Sequence, residues 1–159
     1  HGLGDVAVFL FFGLVAVVGT TFVQTKTIEP LALVAALPVG TLATAILVVN
    51  NLRDVDEDAL AGKRTLAVRL GRGGARSEWA GLVFGAYGLG LLPWLAFAGS
   101  PWVLLPWLTL PKAISLWRVI RSQEDGPALN EALAGTAQLG FLFSLLFALG
   151  LGLSEFGSA

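Results

Sequence analysis

Asn50, Asn51, Asp54 and Asp58 stand within the string NNLRDVDEDALAGKRTLAVRL, which occupies positions 50–70. In a helix from Asn50 to about Leu60, side chains advance roughly 100° per residue, so these four share one face and Asp56 points the other way. One turn, about 6 Å along the axis, separates Asp54 from Asp58. Carboxylates at that spacing suit Mg²⁺, which keeps waters and phosphate oxygens beside one or two protein ligands. Lys63 and Arg64 follow across a turn at Gly62. Lys and Arg are the side chains that take phosphate oxygens, so acids on one side and cations on the other fit a metal diphosphate.

Two other readings compete. Acids at 54, 56 and 58 resemble a calcium loop, but that loop needs Gly at its sixth position and Glu at its twelfth. Ala59 and Thr65 stand there instead, so calcium is excluded. The bland alternative is a charged loop that does no more than meet water. Against it, the asparagines sit where an apolar run ends and share a face with both aspartates.

Everything around the motif is apolar. The 159 residues are 55% hydrophobic and 13% charged, and mean hydropathy is +0.78. A water-soluble domain carries about 25% charge, so the composition selects a membrane protein. A formal net charge of −1 offers no basic surface for nucleic acid. Zero cysteines exclude disulfides and thiolate metal sites. The chain starts at His1 and holds no methionine, so it reads as a piece of a longer gene product.

Five apolar runs, at 6–23, 30–49, 79–99, 101–119 and 132–153, are of the length a bilayer-crossing helix needs. The expected fold is therefore all-α, a polytopic transmembrane helix bundle of five spans with the acidic motif, 50–71, between spans two and three. Pro30 suits the first position of span two, and Pro38 and Gly40 mark a kink within it. Thr65 caps a short helix over 66–70 that Gly71 ends, and Gly73 and Gly74 add a second turn. Gly99, Ser100 and Pro101 form a tight turn, and Arg118 to Asn130 reads as a polar loop. Lys112 lies inside span four, where it must face a polar cavity, pair, or snorkel. Gln24 and Gln138 suit hydrogen bonds between helices, and Trp94, Trp102, Trp107 and Trp117 suit the membrane interface. Asp5 reads as an acid at a helix terminus.

Arg53, Lys63, Arg64, Arg69, Arg72 and Arg76 follow span two, and Arg118 and Arg121 follow span four. The positive-inside rule then places both loops, and the acidic motif, in the cytoplasm.

The string N-N-x-R-D-x-x-x-D followed by G-K-R-T-x-A-V-R-x-G resembles the second aspartate-rich motif of the UbiA superfamily of membrane prenyltransferases. Within it the motif is closest to the 1,4-dihydroxy-2-naphthoate polyprenyltransferases, the MenA type. VFLFFGLVAVVGTTFVQT in run one and LAGTAQLGFLFSLLFALGL in run five extend the resemblance over most of the chain. It implies Mg²⁺-dependent transfer of a polyprenyl group from an allylic diphosphate to the aromatic acceptor, with loss of CO₂ and pyrophosphate, in the plasma membrane of a menaquinone-making cell. By resemblance Asp54 and Asp58 coordinate Mg²⁺, Asn50 and Asn51 orient the carboxylates or contact phosphate, and Lys63 and Arg64 neutralise the leaving group. Lys112 is a candidate substrate contact. Asp56 and Glu57 are supporting or solvated acids, with Arg53 and Glu57 four apart as a pair.

The superfamily has about nine helices and a second acidic motif of N-D-x-x-D type in its amino-terminal half. This chain matches helices five to nine and holds no such string, so its expected partners include that missing half, besides substrates and lipid. Two alternatives remain open: another aromatic acceptor such as 4-hydroxybenzoate, or a non-catalytic cation-binding membrane subunit.

Overall fold

The computed structural model describes residues 2–97 and 100–156, and its regular structure is entirely helical. Five helical spans are long and apolar enough to cross a membrane: Gly4–Thr25, Pro30–Arg53, Leu66–Phe97, Pro101–Ser122 and Gly126–Ser154. The described residues form the expected all-α bundle, with five helical spans of membrane-crossing length and composition.

Helix α1, Gly4–Thr25, lies on the outside, with 6% of its apolar window buried, against 56% for α2, Pro30–Arg53. α2 is the central post, packed against α1 and against the third and fifth spans. Close approach of α1 to α2 is made by Gly13 and Gly40. A Cβ on Gly13 would sit 2.7 Å from the Gly40 Cα, so neither position has room for a side chain. Around that contact, Phe9–Val15 widens into π-helix.

α2 starts with Pro30 at its first turn and carries Pro38 inside. It stops at Arg53 because Asp54 leaves helical geometry, with φ −95° and ψ 9°. The continuous helix expected over Asn50 to Leu60 is therefore divided, and a separate one-and-a-half-turn helix, α3, runs Val55–Leu60. Buried Leu52 and Val55 hold the two sides of the break against the core.

Thr65 caps α4, Leu66–Leu89, by accepting a hydrogen bond from the Val68 N–H at 3.2 Å. Gly71 interrupts it with φ 70° and ψ 174°, which separates 66–70 as expected. Gly73 and Gly74 do not form the expected second turn. Helix resumes directly, because Arg72 and Arg76 find partners on neighbouring elements. The third span thus begins earlier than position 79, and a break before Pro93 starts α5, Leu92–Phe97. Gly99 lies outside the described residues.

Pro101–Thr109 is a 3₁₀ segment, where prolines at 101 and 106 withhold the N–H groups that an α-helical ladder uses. α6, Leu110–Ser122, completes the fourth span, and α7, Gly126–Phe156, forms the fifth. The expected loop from Arg118 to Asn130 shrinks to three residues, 123–125. Asp125 caps α7 by accepting from the Ala128 N–H at 3.0 Å, and Arg118 and Arg121 are polar residues on a helix.

The core centres on Trp79, which is fully buried, lies parallel to the Trp117 ring at 6.1 Å, and donates from Nε1 to Thr136 Oγ1 at 3.3 Å. Trp117 is thus core packing rather than an interfacial anchor. Trp107 meets Tyr87 edge-on at 5.8 Å, and Tyr87 meets Phe143 at 5.2 Å.

Candidate functional site

The motif is held from three sides. Arg53 donates from Nε to Asp54 Oδ1 at 2.6 Å and from a terminal nitrogen to Oδ2 at 2.8 Å. The same guanidinium reaches Asn50 Oδ1 at 3.1 Å and, through its other terminal nitrogen, Asn130 Oδ1 of α7 at 2.9 Å. Arg53 therefore pairs with Asp54, not with Glu57, and ties the end of α2 to α7. That pairing holds the Asp54 carboxyl below its ordinary value, aided by the charge of Lys63.

Asp58 is buried, with 6% of its surface exposed. Lys63 donates from Nζ to its Oδ1 at 2.6 Å across the Gly62 turn, and the Lys63 N–H bonds the Asp58 carbonyl at 2.9 Å. The hydrogen bond to Asp58 raises Lys63 above the usual lysine value. The ammonium remains largely open to water while the carboxylate does not. Lys63 is therefore an exposed cation bonded to a buried acid.

Arg72 of α4 spans the break. It donates to the Leu52 carbonyl at 3.3 Å and to Asp56 Oδ2 at 2.7 Å. Asp56 is therefore an exposed acid that also pairs α3 with α4 through Arg72.

The two asparagines serve different hollows. Asn51, with Lys63, Arg64 and Thr65, lines an open cleft of about 780 Å³ that Gly2, Gly4, Asp5 and Leu47 complete. Asn50 heads an apolar groove of about 410 Å³ walled by Val8, Phe12, Ala43, Ile46, Leu47 and Leu133. Leu47 is common to both, so a polar cleft and an apolar groove adjoin beside the motif. Lys112 lines neither and donates instead to Gln138 Oε1 of α7 at 3.1 Å. Of the predicted acids and cations, Lys63 meets Asp58, while Asp54 is held by Arg53 and neither aspartate lines the cleft of Lys63 and Arg64. Sequence reasoning missed Asp5, whose burial comes from packing against α2 and is invisible in the local string.

Comparison with known proteins follows the motif. The model of the UbiA prenyltransferase family matches residues 1–145. The chain is 38% identical over 157 residues to 1,4-dihydroxy-2-naphthoate octaprenyltransferase of Escherichia coli strain K12, covering 99% of this chain and 51% of that protein. It is 38% identical over 135 residues to the protein of the same name from Mycobacterium leprae, covering 85% and 45%. UbiA prenyltransferase domain-containing protein 1 of Mus musculus is 35% identical over 156 residues, covering 98% and 45%. The chain spans about half the length of the curated relatives it matches. With five apolar helices around an acidic and basic motif, and a family match over nearly its whole length, the chain belongs to the UbiA prenyltransferase family.

Proposed function

We propose that this chain supplies the diphosphate-binding motif of an enzyme that transfers a polyprenyl group from an allylic diphosphate to 1,4-dihydroxy-2-naphthoate, with loss of CO₂ and pyrophosphate. The observation that carries the reading is the adjoining pair of hollows. A cationic cleft at Lys63 and Arg64 meets an apolar groove at Leu47. A polyprenyl diphosphate has one anionic end and one hydrocarbon end, and the two surfaces match them in order. The names of the bacterial relatives supply the acceptor.

Mg²⁺ is the metal we propose for the motif, with Asp54 and Asp58 as its protein ligands. Among the described residues no cluster of three or more metal-binding side chains forms. Two carboxylates, Asp54 and Asp58, suffice for an ion that also holds substrate phosphates and water. When bound there, Mg²⁺ would neutralise the charge that develops on departing pyrophosphate.

The chain's own residues do the rest. Arg53 keeps Asp54 ionised and oriented. Lys63 leaves Asp58 for the incoming diphosphate, exchanging one anionic partner for another, and Arg64 adds a second cation. Asn51 offers the cleft an amide, and the apolar walls exclude the water that would capture an allylic cation. Lys112, paired with Gln138 outside both hollows, is proposed only as a contact to the acceptor side of a larger cavity. The basic residues around the motif favour a cytoplasmic position for it under the positive-inside rule, and the plasma membrane is the membrane we propose.

The test is product formation by membranes carrying the intact gene product, given a long allylic diphosphate and 1,4-dihydroxy-2-naphthoate. Mass spectrometry of a prenylated, decarboxylated naphthoquinol supports the reading. Product only with 4-hydroxybenzoate assigns another acceptor, and binding of cation without pyrophosphate release assigns a non-catalytic subunit.

A further inference from the structure

Asp5 is the charged residue of the cleft to which the motif gives no task. It is 7% exposed. Its Oδ1 is, among the described residues, the buried side-chain polar atom that lacks a hydrogen-bond partner. An acceptor left unsatisfied in that way is destabilising, and native proteins seldom retain one without a use. Lys63 of the same cleft donates to Asp58. The backbone at Asp5 is fixed: the Ala7 N–H bonds the Leu3 carbonyl at 2.9 Å, and Thr44 Oγ1 on α2 lies 3.5 Å from the Asp5 carbonyl. Gly2 and Gly4 line the cleft beside it and contribute no side chains there.

We propose that Asp5 is the acceptor-side binding residue of this cleft, taking the hydroxyl of a hydroxylated aromatic acid through its carboxylate while Lys63 and Arg64 hold anionic groups. This rests on the function proposed above. The ligand class follows from donor and acceptor chemistry. A diphosphate carries only acceptor oxygens at neutral pH, so it cannot satisfy a carboxylate, whereas a phenolic O–H donates to one. The cleft offers both cations and a carboxylate, and an aromatic hydroxy acid presents the complementary pair. Its volume of about 780 Å³ is within the range of small-molecule sites.

The bond also activates the ring. As the new C–C bond forms between ring carbon and allylic carbon, the allylic C–O bond breaks and its electron pair leaves with pyrophosphate. The acceptor O–H bond breaks in the same sense: its electron pair becomes the C=O of the dearomatised ring and its proton passes to Asp5. With the new bond at the ring carbon that bears the carboxylate, the C–C bond from that carbon to the carboxylate then breaks to release CO₂. Its electron pair restores the aromatic ring, and the carbonyl oxygen takes the proton back from Asp5, so no oxidant or further reactant is required.

The experiment compares wild type, Asp5→Asn and Asp5→Glu in the intact gene product. It measures kcat and KM for each substrate, with equilibrium binding of 1,4-dihydroxy-2-naphthoate to solubilised protein as a readout independent of turnover. Asp5→Asn should lower kcat/KM for the acceptor about 100-fold and weaken acceptor binding, with the KM for allylic diphosphate within about twofold of wild type. Asp5→Glu should recover part of the loss. Unchanged acceptor kinetics and binding in Asp5→Asn overturn the proposal. So does an equal loss for both substrates accompanied by a lower melting temperature, which marks a structural acid. If wild type turns over only a different aromatic acceptor, the acceptor named above is wrong, and the same comparison on that acceptor still decides Asp5.

Discussion

Arg53 grips Asp54 with two hydrogen bonds, at 2.6 and 2.8 Å, at the residue where α2 ends. One neighbour in sequence thus closes the helix and fixes the first acid of the motif. Because the pair lowers the Asp54 carboxyl below 3.8, it stabilises the fold above that pH. The contribution is lost as pH falls through the depressed value. Both side chains are about a quarter exposed, so its size is on the order of 1 kcal/mol. Thermal unfolding in detergent between about pH 7 and pH 3 should show a shallower acid loss for Asp54→Asn than for wild type. Parallel curves would remove the pair from the stability of the motif.

Lys63 and Arg64 line the same cleft and are assigned to phosphate oxygens. Lys63→Met and Arg64→Met should each raise the KM for allylic diphosphate by roughly 10-fold or more, the value of a hydrogen bond to a charged group. Acceptor KM should be nearly unchanged. A rise confined to the acceptor would exchange the roles of the two ends of the cleft.

Arg76 donates from Nε to the Ile120 carbonyl at 3.0 Å and from a terminal nitrogen to the Gln123 carbonyl at 3.0 Å. It caps the end of α6 from α4, and its ion pair with Glu124 at 3.2 Å is peripheral. Arg76→Ala should destabilise the bundle by about 1–3 kcal/mol in reversible unfolding, and Glu124→Ala by less than about 1 kcal/mol. Equal losses would make the ion pair, not the carbonyl contacts, the working part.

Gly71 sits at φ 70° and ψ 174°, a region that residues with a Cβ avoid. Open space surrounds it, so Gly71→Ala tests backbone geometry alone. The expected cost is about 1–3 kcal/mol, read as a lower melting temperature. No change would mean that α4 straightens freely at this point.

The five spans were legible because bilayer thickness imposes a run length that few soluble sequences reach, and the motif stood out because its charges interrupt an otherwise apolar chain. The break at Asp54 was not, since no glycine or proline announces it; a side-chain grip by Arg53 marks the stop. Polar helix over 72–78 and 118–122 was read as turn or loop for a related reason. Arg72 and Arg76 are served by carbonyls and acids 16 to 48 residues away, which no local window contains. Asp5 looked like an ordinary helix-terminus acid, and its burial is a tertiary fact. Placement of Asn50 and Asn51 on different hollows likewise depends on where α1 and α7 lie.

The measurement that bears most directly on the motif is pyrophosphate release by the intact gene product with Mg²⁺ and with chelator, for wild type, Asp54→Asn and Asp58→Asn. The expected result is metal-dependent release in wild type and a fall of about 100-fold or more in each variant, with membrane insertion unchanged for both. Release that survives chelation, or ordinary turnover in both variants, would contradict the assignment of these two carboxylates.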